Sequence, residues 1–386
     1  MLRSSLLGWL ALSLGIGVLA CSNTSIGTSS GEPSPDGGAA SEGGTSDGSG
    51  SLGKAALLAL ADDSKAGLTG ASFDGTSWKK HTFSAGTSAF HEKAVAVAND
   101  QSGLALLAAD GELPRFALWH GGDSWDALID VPQASKSCGD PVTAIFRAGL
   151  YVIAYCAQPG SVVFQVFDPK TSQWTAPKAF KGIPNNPGDI KLEPSATGSN
   201  EVYIGVQASS SVYGTSFAPT MSASGDVTLS PLTEGYSKFR APILTDENGE
   251  HPTQVGFTKN GHTVEATVFF ATPPASHVKG LGGCDYFVPL AVPGGARAMT
   301  VLCAGSSTYD KYELTLSGSP LDLTFGKLEQ TSIRTLDGAT FLRGIADGER
   351  FLVGTSDSKA VILRDLAGSP EPFADADSGV VAAIGP

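Results

Sequence analysis

Charge is scarce in this sequence. Asp, Glu, Lys and Arg make up 16 % of 386 residues, and the acidic members outnumber the basic ones by 38 to 25. A formal charge of −13 argues against a nucleic-acid partner and against a basic membrane-surface face, because both need clustered cations. No H-E-x-x-H, C-x-x-C pair, P-loop or dinucleotide fingerprint is present, so neither metal nor cofactor is expected. The six histidines (His81, His91, His120, His251, His262, His277) show no metal-ligand spacing. From Lys54 onward no helical period appears either. What is abundant is glycine, at 48 residues, and a hydrophobic content of 41 % that suffices for a sizeable core.

The apolar run from Leu6 to Ala20 follows Arg3 and is too short and glycine-broken for a membrane span. Residues 1–20 have the proportions of a signal peptide. The run ends Val18-Leu19-Ala20-Cys21, which resembles the lipobox of bacterial lipoproteins. That resemblance implies cleavage before Cys21, a diacylglycerol thioether on its sulfur and an acyl chain on its amine. Two or more chains anchor stably where one is marginal. Ser22 in the next position implies, by the enterobacterial pattern, the outer membrane. The bland alternative is an ordinary secretory signal with an incidental cysteine. Residues 21–53 are Gly, Ser, Thr, Pro and acidic side chains, a composition that reads as a flexible tether.

Residues 54–386 alternate short β-branched runs with turn clusters, the pattern of an all-β chain. Strands end at Ala61-Asp62, Ala109-Asp110, Ala157-Gln158, Ala208-Ser209, Thr258-Lys259, Ala304-Gly305 and Thr355-Ser356. The intervals are 48, 48, 51, 50, 46 and 51 residues. Seven units of four strands are the arithmetic of a seven-bladed β-propeller. A pair of β-sandwiches is the rival architecture, but it does not explain equal spacings. Three hairpins end in tryptophan at matching places, Trp78, Trp125 and Trp174. They resemble degenerate Asp-boxes of the sialidase-type propellers, and their tryptophans read as packing residues.

Six units have a strand before the aligned one, and the first does not. The C-terminal Val380–Ile384 is a spare strand of the right length, expected to close the ring beside Ala55–Leu60. Cysteine usage obeys the same register. Cys138 and Cys156 stand at the start of the first and the end of the second strand of the third unit, and Cys284 and Cys303 occupy the same places in the sixth. Antiparallel neighbours put each pair within disulfide reach.

In a propeller the ligand face gathers the loops entering first strands and those between second and third strands. Here these carry Asp62, Asp63, His91, Asn185, Asn186, Asp189, Tyr236, Arg240, Asp285, Tyr309 and Asp310. Asp375-Ala376-Asp377-Ser378-Gly379 has the look of half a calcium loop, and a solvated turn is the preferred reading. The sialidase resemblance would imply a clamp of Arg147, Arg240 and Arg297 with Tyr309 as nucleophile, and the nearest glutamate is Glu313. The expectation is a non-catalytic propeller on a lipid anchor, binding a partner protein or an envelope glycan. The alternative is a sialidase-like glycoside hydrolase or a polysaccharide lyase of the envelope.

Overall fold

The computed structural model describes residues 57–384 apart from 64–66, 74–77, 83–93, 99–101, 121–124, 159, 185–186, 199, 223–224, 235–237, 241–242, 245–252, 269–276, 291–297, 306–307, 318–321, 344–349, 365–368 and 376–380. The described strands form seven antiparallel sheets that follow one another along the chain, the architecture of an all-β propeller. We number them sheets 1 to 7. First strands of successive sheets pack side by side from sheet 1 through to sheet 5, and again from 6 to 7. Sheets 5 and 6 meet through His277–Leu281 and Asp322–Arg334, and sheet 7 packs back on sheet 1.

Five sheets have the plain four-stranded form; the other two depart from it. The first strand of sheet 5 is described as two pieces, Lys238–Arg240 and Ile243–Leu244, both paired with Thr253–Asn260. Sheet 3 has six strands, because the hairpin strand Gln173–Trp174 and Val227–Thr228 both add to it. Val227–Thr228 comes from the chain of sheet 4 and runs parallel to Lys178–Lys181. Asp226 accepts from the Ala179 amide at 3.0 Å, and the Leu229 amide donates to the Lys181 carbonyl at 2.8 Å. Gly182, at φ +85°, makes room for this strap: a Cβ there would lie 2.5 Å from the Leu229 carbonyl oxygen. The expectation of alike four-stranded units therefore holds for five, and tertiary pairing overrides it elsewhere.

The core lies between sheets, and strand alternation builds it. In Leu150–Ala157, the residues Tyr151, Ile153, Tyr155 and Ala157 face sheet 2, while Val152 and Ala154 face sheet 4. A strand buried on both faces reads as a continuous apolar run, which is why this one does. Similar apolar layers fill the junctions between sheets 5 and 6 and between 6 and 7.

The C-terminal strand Val381–Ile384 pairs antiparallel with Leu57–Asp63, from Leu58 opposite Ile384 to Ala61 opposite Val381. Both disulfides form as the repeat register requires. Cys138 bonds Cys156 and Cys284 bonds Cys303, with Cα separations of 5.4 and 5.2 Å. Trp119 and Trp125 are buried and stack with centroids 6.0 Å apart, and Trp174 stacks on Phe167 at 4.7 Å.

Candidate functional site

The upper ends of the sheets carry the turns between second and third strands and the entries to first strands. Between sheets 5 and 6 these segments bring His262 to Asp285. Thr253–Asn260 turns back into Thr263–Val268 through two residues, Gly261 and His262. Gly261 has φ 59°, the left-handed conformation that a two-residue hairpin demands. His262 therefore stands at the tip, 78 % exposed.

The entry to sheet 6 is tied to that tip. The Cys284 amide donates to the His262 carbonyl at 2.7 Å, and the Asp285 amide donates to the Ala304 carbonyl at 2.6 Å. With the disulfide to Cys303, this leaves Asp285 little freedom, and its carboxylate bonds Nδ1 of His262. A carboxylate on Nδ1 fixes the ring and directs Nε2 away from it.

A second pair lies within sheet 6. Asp310 is the register partner of Cys303, so its side chain shares the face that looks toward sheet 5. Lys327 donates to its Oδ2 at 2.9 Å, and that hydrogen bond holds the ammonium above the ordinary lysine range. Lys327 Nζ also lies 5.9 Å from the centroid of Tyr312, which packs on the apolar layer below. Each carboxylate thus carries one donor, His262 on Asp285 and Lys327 on Asp310.

Sheets 2 and 3 supply an internal comparison. There too a turn with a positive-φ glycine, Gly111, is bonded to the entry of a disulfide-carrying sheet, its amide donating to Ser137 at 2.7 Å. The residue after Cys138 is Gly139, whose notional Cβ would lie 3.4 Å from Cβ of Asp110. After Cys284 the same place holds Asp285.

Other expected face residues are dispersed. Asp62 and Asp63 end a strand of sheet 1, and Arg240 lies opposite Phe257 in sheet 5. Asp189 pairs with Lys191 at 3.0 Å on the side of sheet 4 that looks toward sheet 5. Tyr309 is a correction. It is fully buried, with the Leu336 amide donating to its hydroxyl and that hydroxyl donating to the Leu336 carbonyl, both at 3.4 Å. It clamps the passage into sheet 7 and presents no nucleophile. His91, Asn185, Asn186, Tyr236, Cys21, Arg297 and Asp377 lie outside the described residues.

The arginine clamp is not assembled among the described residues. Arg147 sits at the hairpin between first and second strands of sheet 3, opposite Leu150, whereas Arg240 lies toward the other end of sheet 5. No group of three or more His, Cys, Asp or Glu able to hold a metal occurs among the described residues. His262 and Lys327 were missed by sequence reasoning. Asn260-Gly261 is a hairpin signal that places His262 at a tip, but Lys327 is recruited by cross-strand register alone.

No family model and no curated protein matches the chain. Solved structures do. The periplasmic gluconolactonase of Pseudomonas aeruginosa aligns over 85 % of this chain and 99 % of its own, at 13 % identity and TM-score 0.55. A functionally unknown protein from Desulfotomaculum acetoxidans aligns over 85 % and 98 %, at 12 % identity and TM-score 0.53. A candidate 6-phosphogluconolactonase from Bacteroides fragilis aligns over 89 % and 99 %, at 9 % identity and TM-score 0.52. At such identities the likeness is one of fold.

Proposed function

We propose that this protein is a lipid-anchored, seven-bladed propeller of the outer membrane that binds an uncharged glycan at the upper junction of sheets 5 and 6 and does not cleave it. The observation that carries the reading is the acid–base couples, His262 with Asp285 at the hairpin tip and Lys327 with Asp310 across the outer strands of sheet 6. Paired donors and acceptors fit sugar hydroxyls, and cations already matched by carboxylates offer an anion little. The disulfides support an oxidising, extracytoplasmic setting. The lipobox supports the anchor.

Calorimetric titration of neutral oligosaccharides, with a uronide oligosaccharide as counter-probe, tests the binding. Asp310→Asn and His262→Ala should each weaken it at least tenfold, about 1.4 kcal/mol. If no neutral oligosaccharide binds, the reading is wrong. Labelled fatty acid should enter the wild-type protein and not Cys21→Ala; absence of label in both would remove the anchor.

His262 also favours a second reading. An imidazole oriented by a carboxylate is the arrangement of a general base, and two structures of the same fold are named as lactonases. Turnover of glucono-δ-lactone that disappears in His262→Ala would promote this reading over the first.

A further inference from the structure

The chain that fixes Asp285 runs straight on into an aromatic ring. Tyr286 opens the first strand of sheet 6, Tyr286–Leu290, at its upper end. Its Cα lies about 3.8 Å from that of Asp285, across one peptide. Pleating sends consecutive side chains to opposite faces. Asp285 turns toward sheet 5, where it meets His262. Tyr286 is the register partner of Ala304, which belongs to the apolar layer toward sheet 7, so the phenol lies on that side. The two side chains straddle the strand end, with carboxylate and imidazole on one side and the ring on the other.

That apolar layer does not absorb Tyr286. Two residues further along the same face, Val288 is 4 % exposed, whereas Tyr286 is 37 % exposed. Among the described residues the exposed large apolar side chains are Ile129, Leu328 and Tyr286, and Tyr286 is the aromatic one. Ile129 and Leu328 sit on the outermost strands of sheets 2 and 6, but Tyr286 is on a first strand, beside the axis of the propeller. Three neighbouring positions carry no side chain. Gly282 and Gly283 precede Cys284, Gly305 follows Ala304, and all three are exposed. A Cβ on Gly282 or Gly283 would meet no heavy atom within 4 Å. The backbone beneath is held by the Cys284–Cys303 disulfide and by the Asp285 amide on the Ala304 carbonyl. The ring therefore stands on a fixed strand end with open ground before it.

We infer that Tyr286 is the stacking platform of the site at sheets 5 and 6, and that its ligand is a pyranose. The C–H face of the sugar ring lies on the phenol while a hydroxyl at its edge meets the couple of His262 and Asp285. The inference rests on the glycan reading above and narrows it from hydroxyl-bearing compounds to ring sugars. Donor–acceptor pairs match hydroxyls on any skeleton. A flat array of aliphatic C–H groups is matched by the negative face of an aromatic ring, through apolar burial and weak C–H attraction. An acyclic polyol carries the same hydroxyls and lacks that face.

The test titrates the full chain calorimetrically with cellotetraose and a β-1,4-linked galactotetraose, and with sorbitol as counter-probe. At least one tetrasaccharide should bind the wild type, and sorbitol should not. Tyr286→Phe and Tyr286→Trp should retain the affinity. Tyr286→Leu, which keeps apolar bulk and loses the ring, should weaken it about tenfold. Bound tetrasaccharide should also shield Tyr286 from nitration by tetranitromethane, read by peptide mapping, an arm that needs no variant. Unchanged affinity in Tyr286→Leu, sorbitol binding as tight as that of a tetrasaccharide, or nitration unaffected by bound sugar overturns the inference and leaves the glycan reading standing. Equal losses in Tyr286→Phe and Tyr286→Leu assign the effect to the hydroxyl and overturn stacking. If neither tetrasaccharide binds the wild type, the glycan reading itself falls and takes the platform with it.

Discussion

Deleting residues 379–386 is expected to lower the unfolding free energy by about 2–6 kcal/mol, from roughly four lost ladder bonds at ~0.5–1.5 kcal/mol each. The figure is a lower bound on the disruption. Val381–Ile384 also packs against Ala94–Ala98 of sheet 2 and against Asp337–Arg343 and Arg350–Ser356 of sheet 7. Its removal therefore leaves Leu57–Asp63 with one unpaired edge and loosens both neighbouring junctions. Denaturant titration gives the magnitude. A synthetic peptide of residues 379–386 added to the shortened protein should restore part of it, since an extended segment can add to an open sheet edge. A truncated chain as stable as the full one would show that the strand contributes no closure.

The second large effect concerns the disulfides. Replacing Cys138 and Cys156 together by alanine should cost about 3 kcal/mol, and the same change at Cys284 and Cys303 a similar amount, because each bond closes a loop of 18 or 19 residues. The pairs sit in sheets 3 and 6 and share no partner, so the quadruple variant should lose about the sum. Binding should respond unequally. The bond from Cys284 fixes the backbone beside Asp285, so its loss should weaken oligosaccharide affinity beyond the stability change. Loss of the bond from Cys138 should not. Equal effects on binding from both pairs would detach the disulfide from the site.

Much of this architecture was legible because it depends on local pattern. Strand ends could be aligned at Ala61, Ala109, Ala157 and their successors, since each apolar run stops at a turn. Cys138 and Cys284 could be matched because they occupy one place in that register. The closing strand was legible as a mismatch in count. What could not be read depends on contacts between units. Nothing local in Val227-Thr228 distinguishes an added strand of sheet 3 from a loop, and only Asp226 and Gly182 in space make it one. Tyr309 looked like a face residue because it follows a turn, yet alternation carries its ring into the layer toward sheet 7. His91, Asn185, Asn186 and Tyr236 fall outside the described residues and gain nothing from the fold.

Sequence reasoning also treated the ligand face as a ring of equivalent loops. The described side chains are not equivalent. The carboxylate-oriented imidazole of His262 stands at the upper ends of sheets 5 and 6.

The pairing of the first described strand with the last has a kinetic consequence. Leu58 and Ile384 are far apart in sequence, so this contact cannot form until synthesis has delivered Ile384. Contacts of such separation carry the largest loop-closure entropy and slow folding most. Sheets 2 to 7 are each complete within a contiguous stretch, apart from the strap, and can assemble as the chain emerges. Sheet 1 must wait with its inner edge open. The protein is thereby kept from finishing its fold until that closing strand has been made.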